Sequence, residues 1–237
     1  MKAQLIPVQA LSAADRQAMY NLLQTHFDGV RWDVFEADLG CKNWAILLWD
    51  HDTLQGFSTL LIYETEFQGD WLTIVYSGDT IVDPGSWSSS VLSRSWLTAV
   101  RQLRQKYTRG KLYWLLISSG YRTYRFLPLF AQVFYPRYDR PTPPDIQMLM
   151  AFLARQQFGA GYDDRTGIVR FPHPQMLRAG LRDIPPERLK DPHIQFFQTR
   201  NPGHRQGDEL VCLTEVGEAN LTAAGQRLWS ALALMSV

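Results

Sequence analysis

Apolar residues recur along this chain with two different periods, and each change of period marks a new element. Residues 3–9 read as a short strand. From Ser12 the run SAADRQAMYNLLQTHF sets Met19, Leu22, Leu23 and Phe27 at helical spacing, with Ser12 as N-cap and Asp15 in the capping-box position. A second helix is predicted over about 31–39, where Trp32, Phe35 and Leu39 share a face and Gly40 supplies a stop. The period then shortens. Trp44 to Trp49 (WAILLW) is apolar throughout and suits a buried strand, while Gly56 to Phe67 and Trp71 to Val82 alternate. The turns His51-Asp52-Thr53 and Gln68-Gly69-Asp70 join these three runs into an antiparallel meander.

Asp83-Pro84-Gly85 breaks the third strand, and helical spacing returns from Ser86 to Tyr107 through Leu92, Trp96, Val100, Leu103 and Tyr107. Leu112 to Ile117 (LYWLLI) reads as another buried strand, and Ser118-Ser119-Gly120 leads into a helix of about 121–134. A strand–helix–strand unit after a meander implies a parallel pair. Every proline except Pro7, Pro84 and Pro128 lies between 136 and 202. Within that stretch 144–157 (PDIQMLMAFLARQQ) is predicted as a helix with Pro144 near its start, followed by a short strand near 167–171. His193 to Thr199 and Glu209 to Thr214 read as two strands joined by the polar loop Arg200 to Asp208, and 217–235 closes as a helix. The expectation is one domain over 1–237: a core of 1–136, a Pro-rich elaboration over 137–192, and a closing hairpin and helix over 193–237.

Composition narrows the function. A hydrophobic fraction of 46% and eight Trp supply a sizeable core, which argues against disorder. Lys and Arg (24) nearly balance Asp and Glu (23), so the chain lacks the basic excess of a protein that binds nucleic acid through its phosphates. Cys41 and Cys212 form neither a metal-type pair nor a disulfide framework, and the five His lack zinc spacing. No G-x-S-x-G elbow, P-loop or dinucleotide fingerprint is present. No apolar run approaches the roughly 20 residues of a membrane span, and Met1 to Pro7 lacks the apolar core of a signal peptide, so a cytoplasmic location is expected.

Two helices, a meander, a long helix after a strand-end turn, a further strand and helix and a late hairpin follow the order of the GNAT acyltransferase superfamily. The family's motif, V-x-P-x-x-[QR]-x-x-G-x-[GA], falls on Val82 to Leu92: Val82 and Pro84 match, while Trp87, Ser90 and Leu92 replace the Gln/Arg and the two small residues. The chain thus resembles GNAT proteins over 1–135 and, more loosely, 193–214. The resemblance implies an α/β fold of the α+β type: a mixed, mainly antiparallel sheet with helices on both faces. It also implies acyl-CoA, acetyl-CoA in the first place, as co-substrate, with a small-molecule or peptide amine as acceptor. The thioester is then expected in an opening between strands 71–82 and 112–118.

The chemistry follows from the helix after the motif. Its first-turn N–H groups have no intrahelical partners and, with the helix dipole, attract an anion such as a pyrophosphate. Ser88, Ser89 and Ser90 are small and carry hydroxyl donors, Val82 ends the strand, and Arg94 lies one turn in. The alternative, serines that merely cap an ordinary helix, stays open. Transfer needs a base for the amine and an acid for the thiolate. Asp79 is the best-placed acidic residue, with Glu64 and Glu66 as alternatives, and a solvated strand charge is the competing reading for each. Tyr121 and Tyr124 open the helix where the family often places its acid tyrosine; either also suits ordinary aromatic packing. The mixed runs 121–125 and 134–138 suit a phosphopantetheine or adenine phosphate, or equally a helix face with cation–π contacts. Two functions remain: an acyl-CoA-dependent N-acyltransferase, and a non-catalytic GNAT-like binding module that has lost normal acyl-CoA binding. The helix at 144–157, apolar nearly all round, is expected over the acceptor pocket or against a second subunit, and a homodimer is left open.

Overall fold

Ser12 starts the first helix as its position implies. Its hydroxyl accepts the Asp15 amide at 3.1 Å while the Asp15 carboxylate accepts the Ser12 amide at 2.9 Å, so two amides left over at the helix start satisfy each other's residues. In the computed structural model, which describes residues 1–86 and 90–233 (backbone only over 230–233), this helix α1 covers Ala13–His26. The chain folds as two compact units, one of Met1–Leu112 with Gln226–Val237 and one of Tyr113–Gly225.

The first unit contains β1 (Lys2–Pro7), α1, the two-residue β2 (Phe27–Asp28), α2 (Trp32–Gly40), β3 (Trp44–Asp50), β4 (Thr53–Phe67), β5 (Asp70–Val82) and α3 (Val91–Arg104). Its sheet runs in the order β1-β3-β4-β5 with every neighbouring pair antiparallel, so the predicted meander is present with its register. Strand alternation sends Ala45, Leu47, Phe57 and Ile81 to one face, where they pack with Met19 and Leu23 of α1 and Phe35 and Leu39 of α2. The opposite face, with Ile46, Leu48 and Leu60, is fully buried as well. There α3 inserts Trp96, Val100 and Leu103, and the Trp96 indole N–H donates to Ser77 Oγ at 3.0 Å. Helices on both faces of a mainly antiparallel sheet are therefore the observed architecture. Helix α3 begins later than its sequence pattern suggests, because Pro84–Ser86 forms a 3₁₀ turn of its own. The Asp83 carboxylate accepts the Gly85 amide at 2.9 Å and its carbonyl the Ser86 amide at 2.8 Å.

The second unit contains β6 (Lys111–Ser118), α4 (Tyr121–Tyr124), α5 (Phe126–Phe130), α6 (Pro144–Phe158), β7 (Tyr162–Asp163), β8 (Ile168–Val169), β9 (Met176–Leu177), α7 (Pro192–Arg200) and β10 (Glu209–Glu215), while α8 (Ala223–Ala233) belongs from Gln226 onward to the first. Strand β10 pairs antiparallel with β6 on one side and β8 on the other, and β8 pairs with β7. Two expectations need correction here. The single helix of 121–134 is two short ones ending at Phe130: Pro128 has no N–H to give the Tyr124 carbonyl, and the ladder breaks there. Residues 193–199 are not a strand but the body of α7, so the closing hairpin does not form. Asp191 caps this helix by accepting the His193 amide at 2.9 Å, Pro192 occupies its first turn, and Ile194 and Phe197, three apart, are its buried face. Helix α6 buries Leu149, Met150, Leu153 and Ala154 and packs against β10 and β7 of its own unit.

Candidate functional site

Across one stretch β5 carries an extra residue. Ser58 pairs with Thr80 and Leu60 with Ser77, which leaves Gly78 and Asp79 together opposite Thr59 alone. Such a bulge bends its strand and re-aims side chains. Thr80 clamps it: the hydroxyl donates to the Gly78 carbonyl at 3.2 Å and lies 2.8 Å from Ser58 Oγ. Gly78 is required by space, since a Cβ there would collide with Lys42 Cε and come within 2.6 Å of Thr59 Oγ1.

Lys42 follows the end of α2 and is drawn back across it. Its Nζ donates to Asp38 Oδ1 at 2.6 Å and to the Asp38 carbonyl at 3.3 Å, which also accepts the Cys41 amide at 3.0 Å. The stem lies over Tyr76, with Nζ 5.2 Å from the ring centroid, and the side chain is only 1% exposed. The Thr59 hydroxyl beside it is buried without a hydrogen-bond partner among the described residues. Asp79 completes the group. It is half-buried, and its carboxyl is pushed up to about 7, first by desolvation and next by the Asp38 carboxylate, with Lys42 opposing both. The bulge thus carries an acid that exchanges its proton near neutral pH, as a general base requires.

The other anticipated residues of this unit lie around the end of the strand. Val82 closes β5 opposite Gly56, and the next amide, Asp83, donates to the Gln55 carbonyl at 2.7 Å. The Asp83 carboxylate also holds His26 Nε2 at 3.1 Å. Ser90 is the N-cap of α3 but makes no side-chain cap bond, so the first turn of α3 is not closed by its own cap. Its hydroxyl lies 3.5 Å from the exposed Arg94 guanidinium. Leu92 is buried at 8% exposure, its bulk turned into the core. Trp87, Ser88 and Ser89 lie outside the described residues. Glu64 is engaged by Arg109, through its amide at 3.1 Å and Nε at 3.4 Å, and Glu66 is exposed near the hairpin end.

In the second unit the two tyrosines differ. Tyr124 is fully buried among Phe134, Phe196 and Phe197, its hydroxyl donates to the Pro136 carbonyl at 2.9 Å, and burial raises its proton affinity well above the ordinary phenol. Those surroundings suit the aromatic-packing reading. Tyr121 is buried under the Arg122 guanidinium at 4.7 Å from its ring centroid. Arg137 similarly covers Phe134 at 5.0 Å, so both mixed aromatic–arginine runs make the cation–π contacts allowed for them. Burial holds His193 and His204 below the usual imidazole range, and among the described residues no group of three His, Cys, Asp or Glu could hold a metal ion. No helix of the described residues is long and apolar enough to cross a membrane.

Asp38, Lys42, Thr59 and Gly78 were not singled out from the sequence. One trace was legible: a glycine inside an alternating strand signals a bulge or a close approach, and Gly78 is both.

No family model matches the chain, and no curated protein matches it. Solved structures do. A protein of Enterococcus faecalis V583, described as of unknown function and a probable N-acyltransferase, is similar at 14% identity and TM-score 0.43, over 59% of this chain and 38% of its own length. An acetyltransferase of Trypanosoma brucei is similar at 14% identity and TM-score 0.41, over 60% of this chain and 98% of its own. ElaA of Escherichia coli is similar at 16% identity and TM-score 0.42, over 59% and 93%. These are similarities of chain trace. The chain spans well under half of the Enterococcus protein.

Proposed function

We propose that the chain is an acyl-CoA-dependent N-acyltransferase that moves an acetyl or longer acyl group directly to the amine of a small molecule or peptide. The observation that carries this reading is Asp79: a half-buried carboxyl on a strand bulge, pushed up to about 7, twelve positions (91 − 79) before the start of α3. A base poised near the working pH has both the vacancy and the driving force to take a proton from an ammonium. The deprotonated amine then forms its C–N bond at the thioester carbonyl, the C–S bond breaks, and the thiolate leaves with a proton. The start of α3 supports acyl-CoA as donor substrate, because its first-turn amides and dipole favour pyrophosphate. Ser88, Ser89, Ser90 and Val82 are the residues proposed to line that cradle, with Arg94 adding a positive charge one turn in.

The test is direct. Acetyl-CoA at 100 times its dissociation constant stabilises a protein by about 2.7 kcal/mol, which reads as a raised melting temperature. Acetyl-CoA and longer acyl-CoAs are to be compared in that assay, followed by thiol release in the presence of a panel of amines. Stabilisation and amine-dependent thiol release support the reading; no shift with any acyl-CoA at millimolar concentration overturns it. A second reading, a GNAT-like binding module without acyl-CoA chemistry, draws on the turn before α3. There the Gly85 and Ser86 amides are both already taken by Asp83.

A further inference from the structure

We propose that Lys42 is a positioning residue that sets the charge of Asp79, its ammonium being the one cation shared between Asp38 and the bulge at Gly78–Asp79. The inference rests on Asp79 being the base of the reaction proposed above, but its test does not need that reaction. The geometry is specific to Lys42. A lysine just past a helix end ordinarily reaches for water, and this one has 1% of its side chain exposed. Two features hold it inside: the Tyr76 ring beneath Nζ and the missing side chain at Gly78, where a Cβ would lie 3.1 Å from Nζ and closer still to Cε. Gly78 and Asp79 are adjacent members of one bulge, so the ammonium lies beside the residue that bears the carboxyl.

Charge counting then defines its role. Two carboxylates, Asp38 and Asp79, share one ammonium, and the hydrogen bonds of that ammonium go to Asp38. Asp79 is left with a share of the field and no bond to it. Two charged groups shift Asp79, Asp38 favouring the protonated form and Lys42 the ionised one. The other groups at the bulge, the Thr59 hydroxyl from β4 and the Tyr76 ring from β5, add no formal charge. With Lys42 in place Asp79 ionises near neutral pH. Without it the carboxyl faces Asp38 unscreened and keeps its proton to higher pH, where it cannot accept one from an amine.

The experiment is a carbon-13 NMR titration of the full chain carrying carboxyl-labelled aspartate, with the Asp79 resonance identified by its loss in Asp79→Asn. In Lys42→Met the titration midpoint of Asp79 is expected to rise by roughly one unit or more, the scale of an opposite charge within a few ångströms. Lys42→Arg, which keeps the cation, is expected to restore most of the shift, as a purely steric role would not. In Asp38→Asn the midpoint is expected to fall. An unmoved midpoint in both Lys42→Met and Asp38→Asn overturns the inference. Should Lys42→Met fail to fold, Asp38→Asn decides alone: a fall supports the shared-cation arrangement, and no change refutes it. Absence of acyl-CoA turnover, with these shifts present, would remove the proposed function and leave the arrangement standing.

Discussion

Asp79→Asn should make the protein more stable, and only at pH values where the native carboxyl would have to ionise. The Asp79 carboxyl moves from an ordinary 3.8 to about 7 on folding, a rise of roughly three units, each worth 1.36 kcal/mol. The product is about 4 kcal/mol of stability that the ionised carboxylate costs the fold. Solvent reaching the half-buried group lowers that ceiling, so the expected gain is about 2–4 kcal/mol. The direction follows from proton counts. Between pH 3.8 and about 7 the unfolded chain has released the Asp79 proton and the native one has not, so the native state binds more protons and its stability falls as pH rises. Below 3.8 both states are protonated, and above about 7 both are ionised; the loss is therefore absent at the acid end and complete at the alkaline end. Asn has the shape of the protonated acid and never ionises. Urea unfolding of both proteins at several pH values should give a difference near zero at pH about 3.5 that grows through neutrality and levels off by about pH 8. Contributions from titrating groups that do not interact with Asp79 cancel in that difference. A difference that stays flat across the range, or an Asn variant less stable at high pH, would refute the reading of Asp79 as a destabilised internal acid.

Ser12→Ala removes the hydroxyl half of the capping box and should cost about 0.5–2 kcal/mol, read as a lowered urea midpoint at unchanged slope. Gly110→Ala should cost at least about 2 kcal/mol, because Gly110 sits at φ +59° and a Cβ there would overlap the Trp71 carbonyl; wild-type stability in this variant would show that the 107–110 turn can move. Phe35→Ala, which empties a fully buried site between α1, α2 and the sheet, should cost about 3–5 kcal/mol by the same measurement.

The elements of the first unit were legible because local chemistry and long-range packing agree there. The capping box at Ser12 and Asp15, the Trp44–Asp50 run and the two alternating strands each bury the face that their spacing implies. The second unit was read less well where those levels disagree. The stretch HIQFFQT is rich in β-forming residues, yet Asp191 and Pro192 impose a helix start that outweighs side-chain preference. Pro128 looked compatible with one continuous helix and instead divides two short ones. Asp79 was picked out from its place ahead of the Val82–Pro84 motif, but what makes it chemically unusual was not legible. Its environment depends on a one-residue register shift and on Lys42, which is 37 positions away in the chain (79 − 42) and is brought to the bulge by the pairing of β3 with β4 and of β4 with β5.

A purely structural reading of the Asp38–Lys42–Asp79 group would have the two acids share the lysine in hydrogen-bonded pairs, which is how folds make buried charges tolerable. The arrangement found is different. Lys42 gives its bonds to Asp38, the Thr59 hydroxyl beside it is buried with no partner among the described residues, and Asp79 sits close enough to be perturbed without being satisfied. An unpaired buried hydroxyl costs about 1–3 kcal/mol and a bulge interrupts a ladder that otherwise runs through the whole strand. An asparagine or serine at position 79 would fill the same space without the cost of ionisation. A buried hydroxyl without a partner and a carboxyl of raised proton affinity, gathered at one bulge, suit the proton transfer proposed for Asp79, because a carboxylate already saturated with donors would have no reason to take a proton from a substrate.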